Sequence, residues 1–199
     1  MAQREQQQAF YEERQDFLQN LLDELGQRRT QLTQLNADQA QLTDLLEELR
    51  DIFHDIPATL DQQAPAFATL QGKLRWPLVG RMTEQPGREK RGGLHRNGAV
   101  LNAATSTEVK AIAHGRVAFA DWLRGFGLLI IVDHGNNFMS LYGFNEALYR
   151  DTGDWVTPGE SIAAVGNSGG RQDSGLYFEL RKGSEAIDPR RWLTDSAHR

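Results

Sequence analysis

Two hydrophobic periods divide this chain. From about Glu5 to Ile56 apolar residues recur at helical spacing; from Lys73 onward short runs alternate apolar and polar positions. In the first stretch a heptad puts Tyr11, Leu18, Leu25, Leu32, Gln39, Leu46 and Phe53 at a. Arg14, Leu21, Arg28, Leu35, Leu42, Leu49 and Ile56 then fall at d, and eleven of these fourteen positions are apolar. A stripe sustained that long is the mark of a coiled coil. Residues 1–56 are therefore predicted to form one helix, on the order of 75 Å long at 1.5 Å per residue. Its seam needs a partner, because a lone helix cannot bury such a stripe. A missing preceding segment, a second copy or a fold-back at Gly26 would each supply one. Pro57 sets the end, since a residue before proline avoids helical geometry.

Residues 57–72 read as a linker. Leu60, Ala64, Phe67 and Leu70 share one apolar face, interrupted by Pro65, so the segment is a candidate regulatory helix by position, or equally a spacer packed on the next domain. Residues 73–199 form that domain. Strands are predicted at Glu108 to Ile112, Gly115 to Asp121, Phe126 to Asp133, Phe138 to Phe144, Ser161 to Val165 and Leu176 to Arg181, with Gly- and Asn-rich turns between them. Arg81 to Asn97 reads as a basic, Gly-rich loop. The fold class is thus a long helical coiled coil followed by a mainly antiparallel all-β domain. Its core is predicted from Val117, Leu128, Ile130, Val132, Leu141, Ile162, Val165, Leu176, Phe178 and Leu180.

Charge sharpens the division. Residues 1–72 carry 5 basic and 13 acidic side chains, against 17 and 14 in residues 73–199; the acidic excess reads as the solvated face of a long rod. The basic residues form no stripe with interleaved aromatics, so nucleic acid is not an expected partner. With no cysteine, disulfides and thiolate metal sites are excluded. The first twenty residues hold no secretory signal, and no run approaches the ~18 apolar residues of a membrane span.

The chemistry centres on Ser174-Gly175-Leu176-Tyr177-Phe178-Glu179-Leu180-Arg181. Alternation sends Leu176, Phe178 and Leu180 to one face and Gly175, Tyr177, Glu179 and Arg181 to the other, as in a half-buried strand. This stretch resembles the last conserved strand, H-x-H-F-E-x-R, of the LytM/lysostaphin-type zinc metallopeptidases. Aligned on Phe-Glu-x-Arg, the two motif histidines fall on Gly175 and Tyr177. The family's H-x-G-x-D motif falls on Arg96-Asn97-Gly98-Ala99-Val100, which replaces its histidine and aspartate ligands with Arg96 and Val100. The catalytic histidine of Tyr-x-His-Leu falls on Phe144 of Leu141-Tyr142-Gly143-Phe144. Of the histidines His54, His95, His114, His134 and His198, only His95 adjoins a motif. It is one residue out of register, and a one-residue shift reverses a strand side chain. No metal, cofactor or catalytic residue is therefore expected.

The replaced ligands resemble the EnvC-type murein hydrolase activators, whose LytM-like domain is catalytically degenerate. The resemblance implies a periplasmic, non-enzymatic protein acting in septum splitting during cell division. It implies a mature fragment, with Met1 added. An N-acetylmuramyl-L-alanine amidase would bind the emptied groove, and an FtsEX-type membrane complex would hold the coiled coil. The groove is expected from Asn97, Val100, Phe126, Leu129, Tyr142, Phe144, Tyr177 and Arg181, with an aromatic floor, Asn97 and Arg181 as polar edges, and room for an amphipathic helix. Two other readings follow from the same residues. One is a zinc endopeptidase with displaced ligands; the other is a passive peptidoglycan-binding module using Tyr142, Tyr177 and the basic loop.

Overall fold

The computed structural model describes residues 2–53, 65–84 and 97–194, with side chains described from residue 13 and not for residues 50–53 or 84. The chain divides into two compact units, Met1–Gln39 and Ala40–Arg199. Helix α1 spans Ala2–Phe53 and contributes to both. It runs unbroken through Gly26, where an added Cβ would meet nothing within 4 Å. In the first unit the seam is exposed at Leu18, Leu21 and Leu25, beside exposed Phe17 and Leu22, and half-buried at Leu32 and Leu35. Thr30 and Thr33 return their hydroxyls to the carbonyls of Gly26 and Arg29. Ile56 and Pro57, where the helix was expected to stop, lie outside the described residues.

The second unit holds ten strands among its described residues. They are β1 (Arg81–Glu84), β2 (Ala99–Asn102), β3 (Glu108–Lys110), β4 (Gly115–Leu123), β5 (Gly127–Asp133), β6 (Phe138–Leu148), β7 (Trp155–Val156), β8 (Ser161–Val165), β9 (Gly175–Lys182) and β10 (Glu185–Ile187). The main path is β1-β2-β9-β6-β5-β4-β7; β10 joins β9, and β8 connects β6 to β3. These strand pairings are antiparallel; an isolated bridge between Leu74 and Leu193 is parallel.

Four strands escaped the pattern reading. β1 lies where a basic loop was expected, and β7 and β10 are three residues or fewer. β2 shows no alternation because three of its four residues are buried. β9 is not half-buried: every residue from Gly175 to Arg181 is covered. Its two faces do diverge as expected. Leu176, Phe178 and Leu180 enter one cluster with Val117, Ile130, Val132, Ile162 and Val165. Leu141, expected in that core, belongs to the other face, and Leu128 is only partly buried.

Beneath the first face, Phe67 plugs an aromatic cage. Its ring lies 4.6 Å from His134, 5.0 Å from Phe138 and 5.2 Å from Trp192. Phe67 sits in a single 3₁₀ turn, Phe67–Leu70, so this part of the linker packs on the domain flank. Leu60 and Ala64 lie outside the described residues.

Candidate functional site: an apolar groove covered by the chain's own helix

The groove is built on the second face of β9. Cross-strand pairing puts Val100 opposite Tyr177 on one side and Gly143 opposite it on the other. Phe144 reaches the same cluster through a bulge. Leu128 pairs with Asn145 but Ile130 pairs with Tyr142, which leaves Gly143 and Phe144 opposite Leu129 alone. The extra residue is absorbed by Phe144 in the left-handed region, φ 66°, a conformation costly for a side chain with a Cβ and typical of bulges. Its N–H is held by the Phe126 carbonyl at 2.7 Å. Phe126 and Phe144 present their edges to Tyr177 at centroid distances of 5.1 and 5.6 Å, a favourable aromatic geometry. The Arg171 guanidinium lies 5.0 Å over the Phe144 ring. Gly98 is required here, because a Cβ would lie 2.6 Å from Tyr177 Cζ.

Five expected groove residues thus converge: Val100, Phe126, Leu129, Phe144 and Tyr177 form one buried cluster. Its remaining wall is not solvent. Leu42, Leu46 and Leu49 of α1 are 0%, 4% and 7% exposed and belong to the same cluster, with Leu45 against its edge. The d, a, d positions of the last heptads therefore meet the sheet. No composition or motif signal separated them from the rest of the seam. Leu123 and Met139, unassigned in the sequence, and Leu141, assigned there to the opposite core, also line the cluster.

Arg181 is on this face but is no open rim. It is 2% exposed, and its Nη1 donates to Glu179 Oε1 at 2.6 Å. Its Nη2 donates to the Ser184 carbonyl, and the Tyr177 hydroxyl donates to the other Glu179 oxygen. Burial pushes the Glu179 carboxyl above the ordinary carboxylate range, while the Arg181 charge and both hydrogen bonds pull it back. Sequence reasoning passed over Glu179, whose carboxylate ties the two residues together.

Tyr142 is placed elsewhere. It is fully buried in the opposite core, where its hydroxyl accepts the Ile112 N–H at 3.1 Å and shares a 2.9 Å hydrogen bond with Ser140. Tyr142 and Tyr177 consequently lie on opposite sides of the sheet and cannot form one glycan platform. Asn97 is half-buried just before β2; Arg96, His95 and the rest of the basic loop from residue 85 lie outside the described residues. Gly175 pairs with Asn102, and a Cβ there would lie 2.9 Å from the Leu101 carbonyl.

A zinc site does not fit this donor set. Val100, Gly175 and Phe144 offer no ligand atom, and the Tyr177 hydroxyl is engaged by Glu179. Among the described residues no group of three or more His, Cys, Asp or Glu side chains is arranged to hold a metal. His134 is committed to the other core, its Nδ1 to the His114 carbonyl and its Nε2 to Ser140 Oγ. What this face can do is bind apolar side chains, as it does with those of α1.

Residues 94–189 match the model of Peptidase family M23. Over 123 residues the chain is 45% identical to the murein hydrolase activator EnvC of Escherichia coli, covering 62% of this chain and 29% of that protein. The murein hydrolase activator NlpD of Escherichia coli is 32% identical over 120 residues, 60% of this chain and 31% of that protein. The chain thus spans less than a third of these two curated relatives. Among solved structures, the catalytic domain of the prophage-encoded M23 protein EnpA from Enterococcus faecalis superposes with a TM-score of 0.52 at 25% identity, covering 55% of this chain and 88% of that one. With its antiparallel sheet, its motif positions gathered on one face and its matched segment, the β domain of this chain has the fold of the M23 peptidases and is similar to that family over residues 94–189.

Proposed function

We propose that this chain is a non-enzymatic activator of peptidoglycan amidases, working in the periplasm during cell separation. The observation that carries the reading is the chemistry of the groove. The positions that bear ligands and the proton shuttle in the metallopeptidases are here Arg96, Val100, Gly175, Tyr177 and Phe144, and the groove is packed with leucines from a helix. A surface that seats one amphipathic helix has the shape and polarity to seat another. The names of the two relatives, both murein hydrolase activators, support the same reading.

In the covered arrangement the amidase-binding surface is withheld. The partner, a regulatory helix of an N-acetylmuramyl-L-alanine amidase, binds only when the α1 turns carrying Leu42, Leu46 and Leu49 lift away. Activation is then a population shift, limited by how much better the groove binds the partner helix than its own. An FtsEX-type membrane complex engaging the coiled coil would supply the bias that lifts the helix. No helix among the described residues is long and apolar enough to cross a membrane. The test is dye release from labelled murein by a purified amidase. Release should rise when this protein is added, and the protein alone should release nothing. Chelator-sensitive release by the protein alone would overturn the reading in favour of an endopeptidase.

A further inference from the structure

The covered groove contains one contact that its own helix leaves unmade. Arg181 is buried, and two of its three nitrogens are satisfied, by Glu179 and by the Ser184 carbonyl. The third, Nε, is fully buried and has no hydrogen-bond partner among the described residues. Arg181 lines a small cleft whose other walls are Thr43, Leu46 and Glu47 of α1 on one side and Asn137, Met139 and Ser184 on the other. Glu47 lines this cleft, and among the described residues the guanidinium bonds to Glu179 and Ser184 and not to it. A buried donor left unpaired costs more than an ordinary hydrogen bond contributes, so α1 is an incomplete ligand for the surface it covers.

We propose that this cleft is the polar subsite of the groove, and that the partner helix completes it with a side-chain carboxamide oxygen accepting from Arg181 Nε. The own helix supplies the register. Its anchors Leu42, Leu46 and Leu49 stand at i, i+4 and i+7, and of the two polar helix positions lining the cleft Thr43, at i+1, is half-buried while Glu47, at i+5, is exposed. The partner motif is then aliphatic, Gln or Asn, two free positions, aliphatic, two free positions, aliphatic. A neutral acceptor is specified because Glu179 already offsets the Arg181 charge at 2.6 Å. A second carboxylate would crowd two like charges around one desolvated guanidinium. The difference between the two helices is what lets the partner win the groove. This deepens the reading given above and rests on it for the partner being a helix.

The test uses the full chain with Thr43→Gln, Thr43→Glu and Thr43→Leu, read by amide hydrogen exchange over residues 41–49 without any partner. All three replacements raise helix propensity over Thr by similar amounts, so differences among them report the cleft. Thr43→Gln should raise protection about tenfold above the Leu and Glu variants, the worth of one net hydrogen bond. The Arg181 Nε–H should at the same time become slow to exchange in its NMR signal, a readout that needs no second mutation. Gains of equal size from Leu and Gln would show an apolar gap, and an unchanged Nε–H would show a donor already served by solvent. Either result overturns the proposal. Amidase activation is measured separately, and Thr43→Gln should lower it by holding α1 down. If protection rises as expected and activation does not fall, the subsite stands and the amidase reading fails.

Discussion

Leu46→Ala is the sharpest test of the covered groove. Leu46 is 4% exposed and packs into the cluster holding Tyr177 and Phe144. Leu-to-Ala changes in closed cores cost roughly 2–5 kcal/mol, with the larger values belonging to sites that cannot collapse. One wall here is a single helix that can settle toward the sheet, so the lower part of that range applies, about 2–3 kcal/mol. That weakens the covered state by about 30- to 150-fold. The apparent affinity of a groove ligand should rise by the same factor until the open form predominates. Hydrogen exchange over residues 41–49 reads the first quantity, and titration with amidase reads the second. Leu22→Ala, at a position 61% exposed, is the control and should move neither. The reasoning fails if Leu46→Ala leaves exchange unchanged, or if it speeds exchange while amidase binds no better.

Tyr177→Phe keeps the ring contacts at 5.1 and 5.6 Å but removes the hydroxyl donor to Glu179; it should cost about 1–2 kcal/mol in thermal or urea unfolding, and a parental melt would show the hydrogen bond to be worthless. His134 should make stability pH-dependent. Burial lowers its pKa from 6.5 to about 4, so the unfolded chain takes up the proton first. The contribution is whole above pH 6.5 and is lost as pH falls from 6.5 toward 4, by an amount on the order of 2–3 kcal/mol. If His134→Gln shows the same acid slope as the parent, the effect belongs to other groups. Dialysed protein should contain far less than one zinc per chain, with a melt unaffected by chelator; a stoichiometric zinc whose removal lowers the melting temperature would contradict the site chemistry.

The sequence exposed the alternation of β9 and the register that gathers Val100, Phe144 and Tyr177, because side-chain direction on a strand follows parity alone. It could not expose what covers them. Leu42, Leu46 and Leu49 repeat the same heptad as Leu18, Leu21 and Leu25, yet one set packs on a sheet and the other lies exposed. A heptad says that a stripe must be buried, not against what. Tyr142 was misplaced for a related reason: it shares a motif with Phe144, but the bulge between them breaks the parity that would relate the two. Arg181 looked like a rim because an arginine on an open face usually is one. Its burial follows from Glu179 two residues away and from α1 above it, and only the first was in local view.

The two-sided burial of β9 has a consequence for the colloidal behaviour of the protein. Lifting the α1 leucines bares a floor that includes Val100, Phe126, Leu129, Met139, Phe144 and Tyr177, a contiguous apolar area of the kind that soluble monomers seldom display. In the proposed activation the open form is therefore adhesive as well as receptive, and its lifetime without a partner is limited by self-association. The helix serves as a built-in solubilising cover. A domain expressed without residues 40–49 should fold and yet cloud or associate as its concentration rises, while the longer chain stays dispersed.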